Sequence, residues 1–324
     1  MKVGIVGEIH PSGYEIFDKN NIEYFVTNNI DEDHLIEKLR DVDGIVVRTA
    51  EINKNILSQA KNLKIVARHG VGYDNVDTEY LNNNKIAMAI TGTANATSVA
   101  EHVMTMMLCL TKNIFESDKL VKLGKFKEKS NLPNYFELYN KKILILGFGR
   151  IGKALAKRCG GFEMKVYVHD PFLSDEEIKN LNCIPINKDE GFKIADYISI
   201  HLPLNEKTKN LISFDQFETF KSNLILINTA RGGIINENAL YEALKNEKIF
   251  GAGVDVFEKE PPIENHKLFS LNNILLTPHN AALTLECRKR MSVESCENVF
   301  DFLTKSKNLN TVSYTHLTLP TKVT

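Results

Sequence analysis

Residues Gly147-Phe148-Gly149-Arg150-Ile151-Gly152 follow the apolar run Ile143-Leu144-Ile145-Leu146 and lead straight into the helix-forming Lys153-Ala154-Leu155. Glycines at this spacing between a strand and a helix meet three needs. Gly147 permits a tight turn, Gly149 lets a ligand approach the backbone, and Gly152 lets the helix lie close on the strand. The first turn of a helix has N–H groups without partners, which favours an anionic group there. The next strand candidate, Lys165–Asp170, ends in an acid about 18 positions beyond Gly152, close to the spacing at which a carboxylate meets ribose hydroxyls. A carboxylate there repels a 2′-phosphate. The turn is therefore read as a site for NAD rather than NADP, built from Gly147, Gly149, Arg150, Ile151, Gly152 and Asp170. Pro171 follows Asp170, so a plain turn is the other reading of that acid.

The same strand-then-helix alternation runs along the chain. Lys2–Gly7, Glu23–Thr27, Gly44–Arg48, Lys64–His69 and Ile86–Ile90 read as strands, with helices such as Asp33–Arg40 and Lys54–Lys61 between them. A second series holds Lys142–Leu146, Lys165–Asp170, Tyr197–His201, Asn223–Asn228, Gly251–Val256 and Asn273–Thr277. Apolar strands alternating with amphipathic helices predict parallel sheets covered on both faces. A helix is expected from Ser98, where Ser98 and Glu101 have capping-box spacing, and His102 is assigned to its packing. Lys112 to Lys141 reads as a polar connection, and Leu283 to Lys305 as a last helix returning to the first domain.

A chain of 324 residues suggests two domains. Its net charge of −1, with no long basic run, argues against nucleic acid or an anionic membrane as partner. Val3-Gly4-Ile5-Val6-Gly7 follows Met1 with no signal-peptide pattern, and no apolar stretch is long enough for a membrane span. Five cysteines without a CxxC read as reduced thiols of a cytoplasmic protein, and no metal site is expected.

Three later segments end strands: Asn228-Thr229-Ala230-Arg231-Gly232-Gly233, Gly253-Val254-Asp255-Val256-Phe257-Glu258-Lys259-Glu260-Pro261 and Thr277-Pro278-His279-Asn280-Ala281-Ala282. Open α/β sheets bind ligands at such ends. A 2-keto acid presents a carboxylate beside a ketone oxygen, and a guanidinium fork fits that pair. An imidazolium can give the ketone its proton, and a carboxylate behind the ring would favour the charged form.

In this order after the glycine turn, these segments resemble the D-isomer-specific 2-hydroxyacid dehydrogenase family. So do His69-Gly70-Val71-Gly72-Tyr73-Asp74-Asn75-Val76-Asp77, Ser98-Val99-Ala100-Glu101-His102 and His201-Leu202-Pro203-Leu204. The resemblance implies two doubly wound parallel-sheet α/β domains with the active site in the cleft: a flavodoxin-like substrate domain, residues 1–97 and 283–311, and a Rossmann NAD-binding domain, residues 98–282. It implies Arg231 as the polarising arginine, His279 as the acid/base and Glu260 as its paired carboxylate. Asp255 would meet the nicotinamide carboxamide, and Pro203, Thr208, Thr229 and Ala230 would line the cofactor. Val71 and Gly72 would offer N–H groups to the substrate carboxylate. A homodimer is expected. Phe126 stands near the family's usual tryptophan, and Asn140 stands at a common glycine.

The activity implied is hydride transfer between NAD and a small D-2-hydroxy or 2-keto acid. Arg48 and Arg68 end adjacent strand candidates and could bind a second anionic group, as in 3-phosphoglycerate, or could be solvated or paired with acids such as Asp74. The alternative substrates are glyoxylate, hydroxypyruvate or another short 2-keto acid, and no regulatory domain is expected. A non-catalytic NAD-sensing binding protein is the reading from another class, and turnover separates the two. Residues 312–324, from Val312-Ser313-Tyr314-Thr315-His316-Leu317, fit no element of this fold and resemble a translated sequencing-library adapter, so they are read as a non-native tail.

Overall fold

The structure, a computed structural model, describes residues 1–132 and 134–305. The end of the expected first domain, residues 306–311, and the expected tail at 312–324 lie outside the described residues. Among the described residues the chain forms two compact units, Met1–Asn95 with residues 283–305, and Ala96–Ala282.

The first unit runs β1 (Lys2–Val6), α1 (Pro11–Lys19), β2 (Glu23–Thr27), α2 (Glu32–Leu39), β3 (Gly44–Val47), α3 (Lys54–Gln59), β4 (Ile65–Arg68), α4 (Thr78–Asn83) and β5 (Ala87–Ile90). The second runs α5 (Ala96–Lys112), α6 (Ile114–Lys122), β6 (Lys142–Leu146), α7 (Arg150–Gly161), β7 (Lys165–His169), α8 (Asp175–Lys179), β8 (Ile184–Pro185), α9 (Lys188–Ile194), β9 (Tyr197–Ile200), α10 (Phe214–Phe217), β10 (Ile225–Asn228), α11 (Glu237–Lys245), β11 (Gly251–Val254) and β12 (Ile274–Leu276). The last helix, α12 (Leu285–Thr304), belongs to the first unit and packs on α1, β3, β4 and β5.

Both sheets are parallel. The first orders its five strands β2-β1-β3-β4-β5, the flavodoxin-like order, and its central strand β3 is buried throughout. The second orders seven strands β12-β11-β10-β9-β6-β7-β8, the Rossmann order extended by one strand. In each sheet the order reverses at one crevice, between β1 and β3 and between β6 and β9, and ligands bind such sheets at that reversal. Helix starts follow cap chemistry: the side chains of Asn53, Asp77, Asn236 and Thr284 accept backbone N–H groups, and Ser174 with Glu177 makes a capping box.

The predicted strands stand where they are expected, trimmed by a residue or two, but the two-residue edge strand β8 was not predicted. Three other local readings differ. Helix α5 begins at Ala96, so Ser98 is buried inside it rather than capping it, and Glu101 pairs with Arg158 of α7 at 2.7 Å. The polar connection contains α6 and a 3-10 turn, Phe126–Asn131. Ile114, Phe115 and Val121 of this helix are exposed, none of its side chains is fully buried, and Lys122–Asp118 braces it at 2.6 Å. Asn140 has φ +59°, a left-handed conformation that asparagine tolerates where the family carries glycine. Among the described residues no helix is long and apolar enough to cross a membrane.

Candidate active site

The glycine turn caps the buried strand β6 at the reversal of the larger sheet. Gly147 has φ +88°, and a Cβ there would stand 2.5 Å from the carbonyl oxygen of His201, which follows β9. Only glycine fits both constraints. Gly149 is the N-cap of α7, and no side chain caps the helix. A Cβ on Gly149 would meet nothing within 4 Å, so the first N–H groups of α7 are open to an approaching anion. Arg150 is exposed and Ile151 half-buried beside them.

Asp170 is tied to this turn. Its Oδ2 accepts from Phe148 N at 2.7 Å, and its Oδ1 accepts from Phe172 N at 2.9 Å. Both oxygens keep a further lone pair for ribose hydroxyls. Across the reversal, the Thr208 hydroxyl donates to Pro203 O at 2.6 Å and accepts from Asn205 N at 2.8 Å, which fixes the loop after β9. Burial pushes His201 down to about 4, so it is neutral near pH 7. Thr229 Oγ1, at the end of β10, is buried with no hydrogen-bond partner. A capless helix start, an open approach and an unsatisfied hydroxyl fit a bound dinucleotide.

Three loops of the same unit meet beyond β10, β11 and β12. Buried Asn228 ends β10; its Oδ1 accepts from Ala230 N at 3.0 Å and its Nδ2 donates to Arg231 O at 2.9 Å. Arg231 Nη1 donates to Ala230 O at 2.7 Å. A Cβ on Gly232 would overlap the carbonyl of Phe257, so this turn lies directly on the loop after β11. In that loop Phe257 N donates to Glu260 Oε1 at 3.1 Å, and Glu260 Oε2 stands 2.7 Å from His279 Nδ1. Burial would raise the Glu260 carboxyl, but the His279 and Phe257 hydrogen bonds and the charges of His279 and Arg231 outweigh it, and Glu260 lies below the usual carboxylate range. A second clasp fastens the loop to α11. Glu258 N donates to Glu237 Oε1 at 2.7 Å, and Glu237 Oε2 holds His266 Nε2 at 3.0 Å.

His279 has φ +52°, a region that costs a side-chain residue of order 1 kcal/mol. Its neighbours are held by Asp255, fully buried after β11. Asp255 Oδ1 accepts from Asn280 N at 2.9 Å and from the Thr277 hydroxyl; its Oδ2 accepts from Ala281 N at 3.0 Å.

The remaining candidates lie in the first unit. Arg48 follows β3 beside the sheet reversal, with Nη1 3.4 Å from Glu8 O. Arg68 ends β4, paired in register with Val47, and donates to His69 O. Burial, then the charges of Arg68, Arg48 and Arg288, push buried His69 down to about 4. Val71 and Gly72 are half-buried in the loop that follows. The predicted residues thus form two groups. Arg231, Glu260 and His279 meet in the second unit with the glycine turn, Asp170, Pro203, Thr208, Thr229, Ala230 and Asp255; Arg48, Arg68, Val71 and Gly72 sit together in the first. Sequence reasoning gave no role to Asn228, though an asparagine two residues before a turn amide is an Asx-turn signal. It also gave none to Thr277.

A family model described as D-isomer specific 2-hydroxyacid dehydrogenase, NAD binding domain, matches residues 104–281. The D-3-phosphoglycerate dehydrogenase of Archaeoglobus fulgidus is 36% identical over 92% of the chain, which spans 56% of that protein's length. The hydroxypyruvate reductase of Thermotoga maritima is 37% identical over 88% of the chain and 92% of its own length. A solved structure of NAD-dependent formate dehydrogenase from Staphylococcus aureus in complex with NAD superposes with a TM-score of 0.83 at 29% identity, covering 95% of this chain and 97% of that one.

Proposed function

The chain belongs to the D-isomer specific 2-hydroxyacid dehydrogenase family, NAD-dependent oxidoreductases, and from that premise we propose that it moves a hydride between NAD and a small D-2-hydroxy or 2-keto acid, with 3-phosphoglycerate as the leading substrate. The observation that carries the reading is the 2.7 Å pairing of Glu260 with His279 in loops braced against Arg231.

The N–H groups at the start of α7 and Asp170 hold the dinucleotide, which supplies the hydride-accepting or hydride-donating carbon when bound. Arg231 grips the substrate carboxylate and the neighbouring oxygen through its planar fork. Glu260 accepts from His279 Nδ1, so the hydrogen sits on that nitrogen and Nε2 faces the substrate oxygen. Nε2 takes the hydroxyl proton during oxidation and returns it to the ketone oxygen during reduction.

A spectrophotometric panel tests this: oxidation of 3-phosphoglycerate with NAD, and reduction of glyoxylate, hydroxypyruvate and pyruvate with NADH. No turnover on any of them, with NAD bound, favours the NAD-sensing reading. The length match with the hydroxypyruvate reductase supports a second reading, a reductase of short 2-keto acids. Arg48 and Arg68 discriminate the two. If a phosphate is gripped there, Arg48→Ala and Arg68→Ala each raise the KM for 3-phosphoglycerate about tenfold or more and leave that for glyoxylate within about twofold. Equal changes on both substrates sink the phosphate reading.

Asp170→Ala is expected to narrow the NAD-over-NADP preference at least about tenfold, by removing a negative charge from the 2′-phosphate position. A wild type that uses both cofactors equally overturns the role of Asp170. We also propose a homodimer in a reducing cytoplasm. Exposed Ile114, Phe115, Val121, Leu123 and Phe126 along α6 and the following turn support the dimer, and five free cysteines support the compartment. Sedimentation equilibrium at micromolar concentration decides the first and cell fractionation the second. A monomer, or recovery outside the cytoplasm, defeats the respective claim.

A further inference from the structure

We propose that His102 is a positioning residue for His279, acting from α5 through Thr277 and Asp255. The proposal rests on the reading of His279 as the acid/base. His102 was assigned to helix packing from the sequence, but its Nε2 stands 3.1 Å from Thr277 Oγ1 and 3.8 Å from Asp255 Oδ1. The Thr277 hydroxyl has one hydrogen, and it goes to Asp255 Oδ1. Toward His102 that oxygen can only accept, so His102 Nε2 carries the hydrogen and donates.

The chain of bonds closes on both sides of His279. Before it stands Thr277, whose carbonyl takes the His279 N–H at 3.1 Å. After it stand Asn280 and Ala281, whose N–H groups Asp255 accepts at 2.9 and 3.0 Å. A side-chain residue persists at φ +52° only where its surroundings over-determine the backbone, and these bonds are that determination. With Thr277 uncorrected by His102, the hydroxyl is free to turn from Asp255, and the carboxylate loses the bond that fixes its plane. Helix α5 packs on β10, β11 and β12, so it gives the network a rigid base.

The test uses the full chain and four variants, His102→Ala, His102→Gln, Thr277→Val and Thr277→Ser. Hydrogen exchange of the peptide covering residues 277–283, measured without substrate, reads the loop directly. In His102→Ala and Thr277→Val the Asn280 and Ala281 amides should exchange about tenfold faster, while β10 amides keep their protection. Turnover should fall about tenfold with the NAD dissociation constant within about twofold. Glutamine keeps a donor at the same reach and serine keeps the hydroxyl, so both should recover most of the protection and the rate. Unchanged exchange in His102→Ala and Thr277→Val overturns the proposal, as does His102→Gln behaving like His102→Ala, which would make His102 a matter of volume. If wild type turns over no 2-keto acid, the proposed activity falls while the exchange result still decides the loop.

Discussion

His279→Gln lowers turnover about a thousandfold while NAD binds within about twofold of wild type. Glutamine fills the space and can hydrogen-bond to Glu260, but it cannot pass a proton to the substrate oxygen. The glycine turn and Asp170 bind the dinucleotide from other loops, so affinity is untouched. Steady-state rates with saturating cofactor, beside fluorescence titration of NADH, separate the two quantities. A variant within tenfold of wild type removes His279 from the proton step. Glu260→Gln is the companion. Without the carboxylate, Nδ1 loses the acceptor that orients the ring, so Glu260→Gln should lower turnover about tenfold or more with NAD affinity within about twofold. In wild type Glu260 lies below its ordinary value. The carboxylate is therefore fully charged above the usual carboxylate range, and what it contributes is lost only as pH falls through that lowered value.

Arg231→Lys is expected to lower kcat/KM about a thousandfold, some 4 kcal/mol of transition-state stabilisation. A lysine keeps the charge but presents a point rather than a fork, so carboxylate and ketone oxygen cannot be held in one plane. It also loses the guanidinium hydrogen bond to Ala230 O that sets the direction of the side chain. Both kcat and KM should suffer, because the fork binds the substrate and polarises it. A loss under tenfold would leave Arg231 as a general attraction for anions.

The parts of this molecule that could be read in advance are those where one residue type is the sole answer to a local demand. Gly147 is such a case, since its turn and the His201 carbonyl exclude any side chain. Strand identities were equally plain, because fully buried runs such as Ile225–Asn228 have few other homes. The order of those strands was not, since nothing within β6 says that it pairs with β7 and β9. The Glu260–His279 pair spans 19 residues and came from likeness to a family, as no spacing rule joins them. His102 and Thr277 are 175 residues apart, and a histidine inside a helix reads as packing until its partner is seen. Helix α6 was missed because most of its apolar side chains are exposed and it lies in a charged stretch that reads as a connection.

The turn carrying Arg231 lies backbone against backbone on the loop carrying Glu260, with Gly232 at the point of contact. Those two groups therefore cannot drift apart one mutation at a time, and the histidine bonded to Glu260 is bound to them in turn. Such a site descends as a block. In recombination between related genes, a crossover anywhere from Asn228 to Ala281 would join a loop shaped by one ancestor to a loop shaped by another. The Gly232 contact would then meet a backbone it was never selected to fit. Surviving mosaics should carry that stretch whole, and variation that alters the preferred acid should collect outside it.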